Sequence, residues 1–179
     1  MIERRQLLQV TENALAYLVA FAMLIYGAAK WLQFGDSSQN HTPVSQLTGM
    51  QLMWAFYGYS KPFAIIIGVL EITGGILIIF RKTRLIACAL LSTILVNIIL
   101  QDIFYEVNQG ALRAAIIYQT AIIAILWRHK TTLAAAFKIL VNYERIVQHK
   151  REMFVTFLLS ILLFIVLRVI EFYLTAANF

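Results

Sequence analysis

Residues 62–80, PFAIIIGVLEITGGILIIF, constrain this chain more than any other stretch. A membrane-spanning helix needs roughly 20 predominantly apolar residues, and this run is about that long. Its only charged residue is Glu71, and Gly68, Glu71 and Gly75 recur at i, i+3 and i+7, so they share one helical face. An ionised carboxylate near the middle of a bilayer costs at least about 3 kcal/mol unless it is paired, hydrogen-bonded or protonated. Glycines on the same stripe let a neighbouring backbone approach closely. The face is therefore expected to point into the protein, where one helix offers a packing surface and a buried acid together.

Composition places the rest of the chain in the same environment. With 61% hydrophobic residues, 13% charged residues and 2 prolines in 179, it lies outside the range of soluble domains. The formal charge of +6 does not point to nucleic acid, because the basic residues stand in short runs beside apolar segments, as topology signals do. The single cysteine, Cys88, cannot close an internal disulfide, and without a C-x-x-C pair the chain lacks the equipment of a thiol-disulfide exchanger.

The first apolar run covers residues 13–34 and is read as an uncleaved first span. On it Ala22, Tyr26, Lys30 and Gln33 line up on one face; Lys30 either snorkels to the interface or partners a buried acid. Residues 35–61 open polar and turn aromatic through Trp54, Phe56, Tyr57 and Tyr59, which suits the headgroup layer and predicts an interfacial or re-entrant segment capping one mouth of the spans. A basic turn at 81–84 joins the Glu71 helix to a third span over residues 85–104. There Thr93, Asn97, Gln101 and Tyr105 form a polar stripe that ends beside Asp102 and Glu106. The fourth span covers residues 111–127, with Tyr118 and Gln119 within it and Arg113 just inside its start, where a charge cluster with Asp102 and Glu106 is expected. Residues 128–152 are basic but helical in period, with Lys138 and Arg145 on the polar side, which predicts a helix lying in the interface against anionic lipid headgroups. A fifth span follows over residues 153–174, carrying Arg168 and Glu171 three residues apart.

Loop charges orient the spans. With the N-terminus in the cytoplasm, eleven of the 15 basic residues face inward and only Lys61 lies in an outer loop. This predicts a multi-pass protein of the plasma (inner) membrane with its C-terminus outside.

The first helix ending Tyr26-Gly27-Ala28-Ala29-Lys30, the outer amphipathic loop, Gly68-x-x-Glu71-x-x-Gly74-Gly75 and the basic turn with Arg84 together resemble the DoxX-like small membrane proteins. The resemblance covers residues 13–127. It implies an all-α, four-helix transmembrane bundle over 1–127, with the amphipathic loop at 35–61; the basic segment at 128–152 and the additional C-terminal helix at 153–179 depart from the short four-helix form. Members of that family are linked to a quinone-reducing thiosulfate oxidoreductase and to oxidative-stress complexes. The expected function is then an accessory subunit of a membrane oxidoreductase or redox-stress complex that binds a quinone-like or other small apolar molecule in the outer half of the bundle. Tyr26, Lys30, Glu71, Asn97, Gln101, Asp102, Arg113 and Gln119 form the candidate ligand-binding or buried polar cluster, and Glu71 is the candidate catalytic acid. The alternative is a non-catalytic structural or assembly subunit in which Glu71 and Lys30 lock two helices. A proton-coupled transporter is less well served, since no inverted repeat is visible.

A haem held across the spans needs ligands within them, yet His41, His129 and His149 lie in loops or in the interfacial segment. No Cys/His set for zinc or iron–sulfur and no phosphate-cradling glycine loop is present. No intrinsic cofactor or metal is expected, with quinone the candidate ligand. The expected partners are the bilayer, its anionic lipids, and other membrane subunits or further copies of the chain.

Overall fold

A computed structural model of the chain describes residues 3–35, 41–141 and 149–176, which are helical through most of their length. The helices are α1 (Arg4–Gln33), α2 (Gly49–Tyr59), α3 (Lys61–Ile79), α4 (Arg84–Phe104), α5 (Gln109–Arg128), α6 (Lys130–Val141) and α7 (Lys150–Ala176). Five of them, α1, α3, α4, α5 and α7, are long and apolar enough to cross a membrane. This is an all-α, multi-pass membrane protein.

Local chemistry sets the helix ends. Thr48 and Gln51 close a reciprocal cap on α2, Gln51 N donating to Thr48 Oγ1 at 3.3 Å and Thr48 N to Gln51 Oε1 at 2.9 Å. Pro62 stands in the first turn of α3, where its missing N–H leaves no bond unmade. Asn108 Oδ1 accepts from the N–H groups of Gly110 and Ala111 and starts α5. The connections at 80–83 and 105–108 are too short for anything but antiparallel neighbours.

The chain forms two compact units, Met1–Ala134 and Ala135–Phe179. In the first unit α1 packs on α3, α3 on α4, α4 on α5 and α5 back on α1. Val19, Met23, Ile78, Leu91, Leu95, Ile122 and Ile125 fill the interior, and Ala16, Ala20, Ala87 and Ala115 keep the backbones close. The outward faces carry Phe21, Ile66, Ile86 and Ile117, as helices in contact with lipid tails do. One end of this unit holds α2; the opposite end holds the 80–83 turn and the C-terminus of α5.

The α1–α3 contact is the tightest. A Cβ on Gly27 would come within 2.5 Å of the Gly68 carbonyl oxygen, and one on Gly68 within 2.6 Å of the Gly27 carbonyl oxygen, so the two backbones touch. Further along, Gly75 packs on Ala20 and Met23, which makes the pair antiparallel. The stripe of Gly68, Glu71 and Gly75 is buried throughout.

The second unit contains α7, whose Arg168 and Glu171 form an ion pair with each other on its exposed surface. Of the basic segment expected over residues 128–152, α6 accounts for Lys130–Val141, and residues 142–148 lie outside the described residues. Lys138 is exposed on α6, and Arg145 lies outside the described residues.

Candidate functional site

The Gly27–Gly68 crossing determines where the buried acid finds its partner. Lys30 lies one turn beyond Gly27 towards the α2 end, and Glu71 one turn beyond Gly68 in the opposite direction. The stem of Lys30 runs over the bare face of Gly68, where an added Cβ would meet Lys30 Cβ at 3.0 Å. Its Nζ then reaches 3.3 Å from Glu71 Oε1. Glu71 is 0% exposed and the Lys30 side chain 12%. The contact is an ion pair without hydrogen-bond alignment, and among the described residues neither Glu71 oxygen has a hydrogen-bond partner. Lys30 Nζ also stands 5.9 Å from the centre of the Phe34 ring, within cation–π range.

Lys30 and Glu71 line a cavity of about 910 Å³ at the α2 end. α1, α3 and α4 supply its walls, α2 and the segment around Val107 close over it, and most of its surface is apolar or aromatic. Rings from three stretches build one side. Phe34, just past α1, stacks on Tyr57 of α2 with centroids 4.7 Å apart, and Tyr57 stacks on Phe63 of α3 at 6.1 Å. Trp54 meets Phe34 edge-on at 5.3 Å. Of the four aromatic residues expected in the headgroup layer, Tyr57 is buried instead, because the hydroxyl finds a partner inside. It accepts from Gln101 Nε2 at 2.8 Å and donates to Gln101 Oε1 at 3.1 Å. Burial pushes the Tyr57 phenol above its ordinary value of 10.0, so it stays a neutral donor and acceptor. Gly49 fixes the start of α2, with no room for a side chain against the Tyr105 carbonyl.

The structure gathers Tyr26, Lys30, Glu71, Asn97, Gln101 and Asp102 around this cavity. Two expected residues lie elsewhere. Arg113 is exposed and, among the described residues, makes no ion pair with Asp102 or Glu106. It sits two positions from buried Ala115, about 200° around the helix, and so faces away from the interior. Gln119 is on the α4–α5 seam, where its Nε2 donates to Ser92 Oγ at 2.7 Å. Asn97 and Gln101 do not hydrogen-bond Glu71; Gln101 turns to Tyr57 and to Asn97, because α2 brings a hydroxyl within its reach. Asp102 is 6% exposed, and its Oδ2 has no hydrogen-bond partner among the described residues. No group of three His, Cys, Asp or Glu side chains that could hold a metal converges among the described residues.

A second polar centre, at the opposite end, was not anticipated. Arg84, 2% exposed, donates through Nε to the Ile78 carbonyl and through Nη2 to the Ile79 carbonyl, both at 3.0 Å, and so caps α3. Its Nη1 reaches Glu12 Oε1 at 2.8 Å and Asn13 Oδ1 at 3.1 Å on α1. Glu12 also meets Arg128 Nε at 2.6 Å and His129 Nε2 at 3.1 Å at the end of α5. One carboxylate thereby joins three parts of the chain. The sequence signal was an acid in the early turns of a span at the end where two basic turns converge.

The profile of the methylamine utilisation protein MauE family matches residues 7–113. The chain belongs to the MauE family. That match overturns the resemblance to DoxX-like proteins, whose family it does not match. The motifs that carried the resemblance encode a close helix crossing beside a buried ion pair, a packing need that different families of small membrane helices share. Every residue lining the cavity lies within the segment matched to MauE. A Bacillus subtilis (strain 168) protein described as uncharacterized protein YwoB is 25% identical over 122 residues, covering 67% of this chain and 77% of its own. No solved structure matches the chain.

Proposed function

We propose that this MauE-family membrane protein is an accessory subunit that holds a quinone-like or other small apolar molecule in the cavity at its α2 end, beside a membrane oxidoreductase. The observation that carries the reading is the cavity: about 910 Å³, walled by apolar and aromatic side chains, with a few convergent polar groups at Lys30, Glu71, Gln101 and Asp102. Ligand sites commonly have about this size and make-up. The family description, methylamine utilisation, concerns the use of a reduced small molecule, which suits a role beside an oxidising partner. Glu71 is the acid through which a bound molecule would exchange a proton, with Lys30 stabilising its charged form.

In this reading the α2 end faces outside and the Arg84 end faces the cytoplasm of a plasma-membrane protein. Arg81, Lys82, Arg128 and Lys130 all stand at the latter end, which supports that orientation. Lys138 and Arg145 would then meet anionic headgroups of the inner leaflet.

Native mass spectrometry of the protein released from lipid tests the cavity. A retained small molecule is expected on the wild type and its loss on Ala29→Phe, which places a ring in the cavity. A wild-type protein that carries nothing, as the filled variant does, would overturn the reading. The Lys30–Glu71 pair favours a second reading, a structural or assembly subunit in which the pair locks α1 to α3. That reading expects both proteins to be empty and a partner subunit to be lost when the lock is removed.

A further inference from the structure

Among the described residues, three charged side chains line the cavity: Lys30, Glu71 and Asp102. Lys30 and Glu71 pair at 3.3 Å and neutralise each other. Asp102 is left over, 6% exposed, with Oδ2 buried and unpartnered. Arg113 and Lys61, the nearest other cations in sequence at this end, are exposed and line no part of the cavity. The cavity thus holds one acid more than it has cations. We infer that its ligand carries an ammonium group on an apolar body, with Asp102 as counter-ion. The inference rests on the cavity reading above and narrows its ligand class away from a quinone, which brings no positive charge to Asp102.

The walls agree with such a ligand. Phe34, Trp54, Tyr57 and Phe63 line the space, and one ammonium already meets such a ring, since Lys30 Nζ stands 5.9 Å over Phe34. An anionic head would meet an unpaired carboxylate, and a neutral head would leave it unpaired.

The head could belong to a membrane lipid bearing a primary amine or to a free hydrophobic amine, and the test separates them. Calorimetric titration of the full chain in an uncharged maltoside detergent compares 4-phenylbutylammonium with 4-phenylbutanol and 4-phenylbutyrate. The ammonium compound is expected to bind at least about tenfold tighter than the alcohol, a preference of about 1.4 kcal/mol, with the carboxylate weakest. Asp102→Asn should remove the preference for the ammonium compound over the alcohol. In a parallel arm the chain is taken from equimolar phosphatidylethanolamine and phosphatidylglycerol and weighed intact. Selective retention of phosphatidylethanolamine, displaced by 4-phenylbutylammonium, identifies the lipid as the source; ammonium binding without lipid retention identifies the free amine. Equal binding of ammonium and alcohol to the wild type, a comparison that needs no variant, overturns the charge inference and leaves the cavity reading standing. A preference that survives Asp102→Asn overturns it as well. Failure of all three probes to bind would remove the cavity reading together with the inference.

Discussion

Glu71 and Lys30 depend on each other because, among the described residues, neither has another ion-pair partner. Glu71→Gln and Lys30→Met should each destabilise the protein by about 3 to 5 kcal/mol by leaving one buried charge alone, and the double variant should recover much of that loss. Thermal unfolding of all three in detergent decides; a Glu71→Gln protein as stable as the wild type would mean that the acid is held neutral and that the lysine does not anchor it. Arg84 depends on geometry more than on charge. Arg84→Lys keeps a cation near Glu12 but cannot reach the Ile78 and Ile79 carbonyls as well, and should cost about 1.5 to 3 kcal/mol. Arg81→Lys, exposed in the same turn, should stay within about 0.5 kcal/mol. Equal effects at the two positions would show that only the charge of this turn matters.

Between helices, the glycine crossing is the contact that a single methyl group can test. Gly68→Ala meets both the Gly27 carbonyl and the stem of Lys30, so α1 and α3 must part; a loss of about 1 to 3 kcal/mol is expected, as for overpacked cores. Gly35→Ala meets nothing within 4 Å and should be neutral in the same unfolding experiment. The crossing was legible in the sequence because Gly68, Glu71 and Gly75 repeat at the helical period, and a charge among apolar residues can face only inward. The partners were less legible. Periodicity assigns a face to each helix but does not say which side chain of a neighbouring helix arrives there, so the polar stripe of α4 did not reveal that Gln101 pairs with Tyr57. Arg84 looked like one more charge in a basic turn; its burial follows from the open carbonyls at the end of α3, which exist only once α3 and α4 fold back on each other. Arg113 misled for the converse reason, since its nearness in sequence to Asp102 and Glu106 says nothing about the side of α5 on which it stands.

At the scale of the whole molecule, the positions of Lys61 and Arg81 at opposite ends of α3 make the orientation measurable. With Cys88 replaced by Ala, Lys61→Cys should react with an impermeant thiol reagent added outside intact cells, and Arg81→Cys only after the membrane is opened. Labelling of both from the same side would show that α3 does not cross. The two ends differ in how they are fastened. At the Arg84 end the fastening is ionic, and one carboxylate holds three parts of the chain; at the α2 end it is a stack of rings, Phe34, Tyr57 and Phe63, each borne by a different stretch. A stack of that kind sets a clock. If the proposed cavity ligand leaves past α2, it must first separate ring pairs whose contacts are worth about 0.5 to 1.5 kcal/mol each, and two broken pairs slow departure by roughly 5- to 150-fold. Residence time, as much as affinity, is then written into Tyr57, and replacing it with alanine should shorten the dwell of a bound molecule more than it changes the rate of capture.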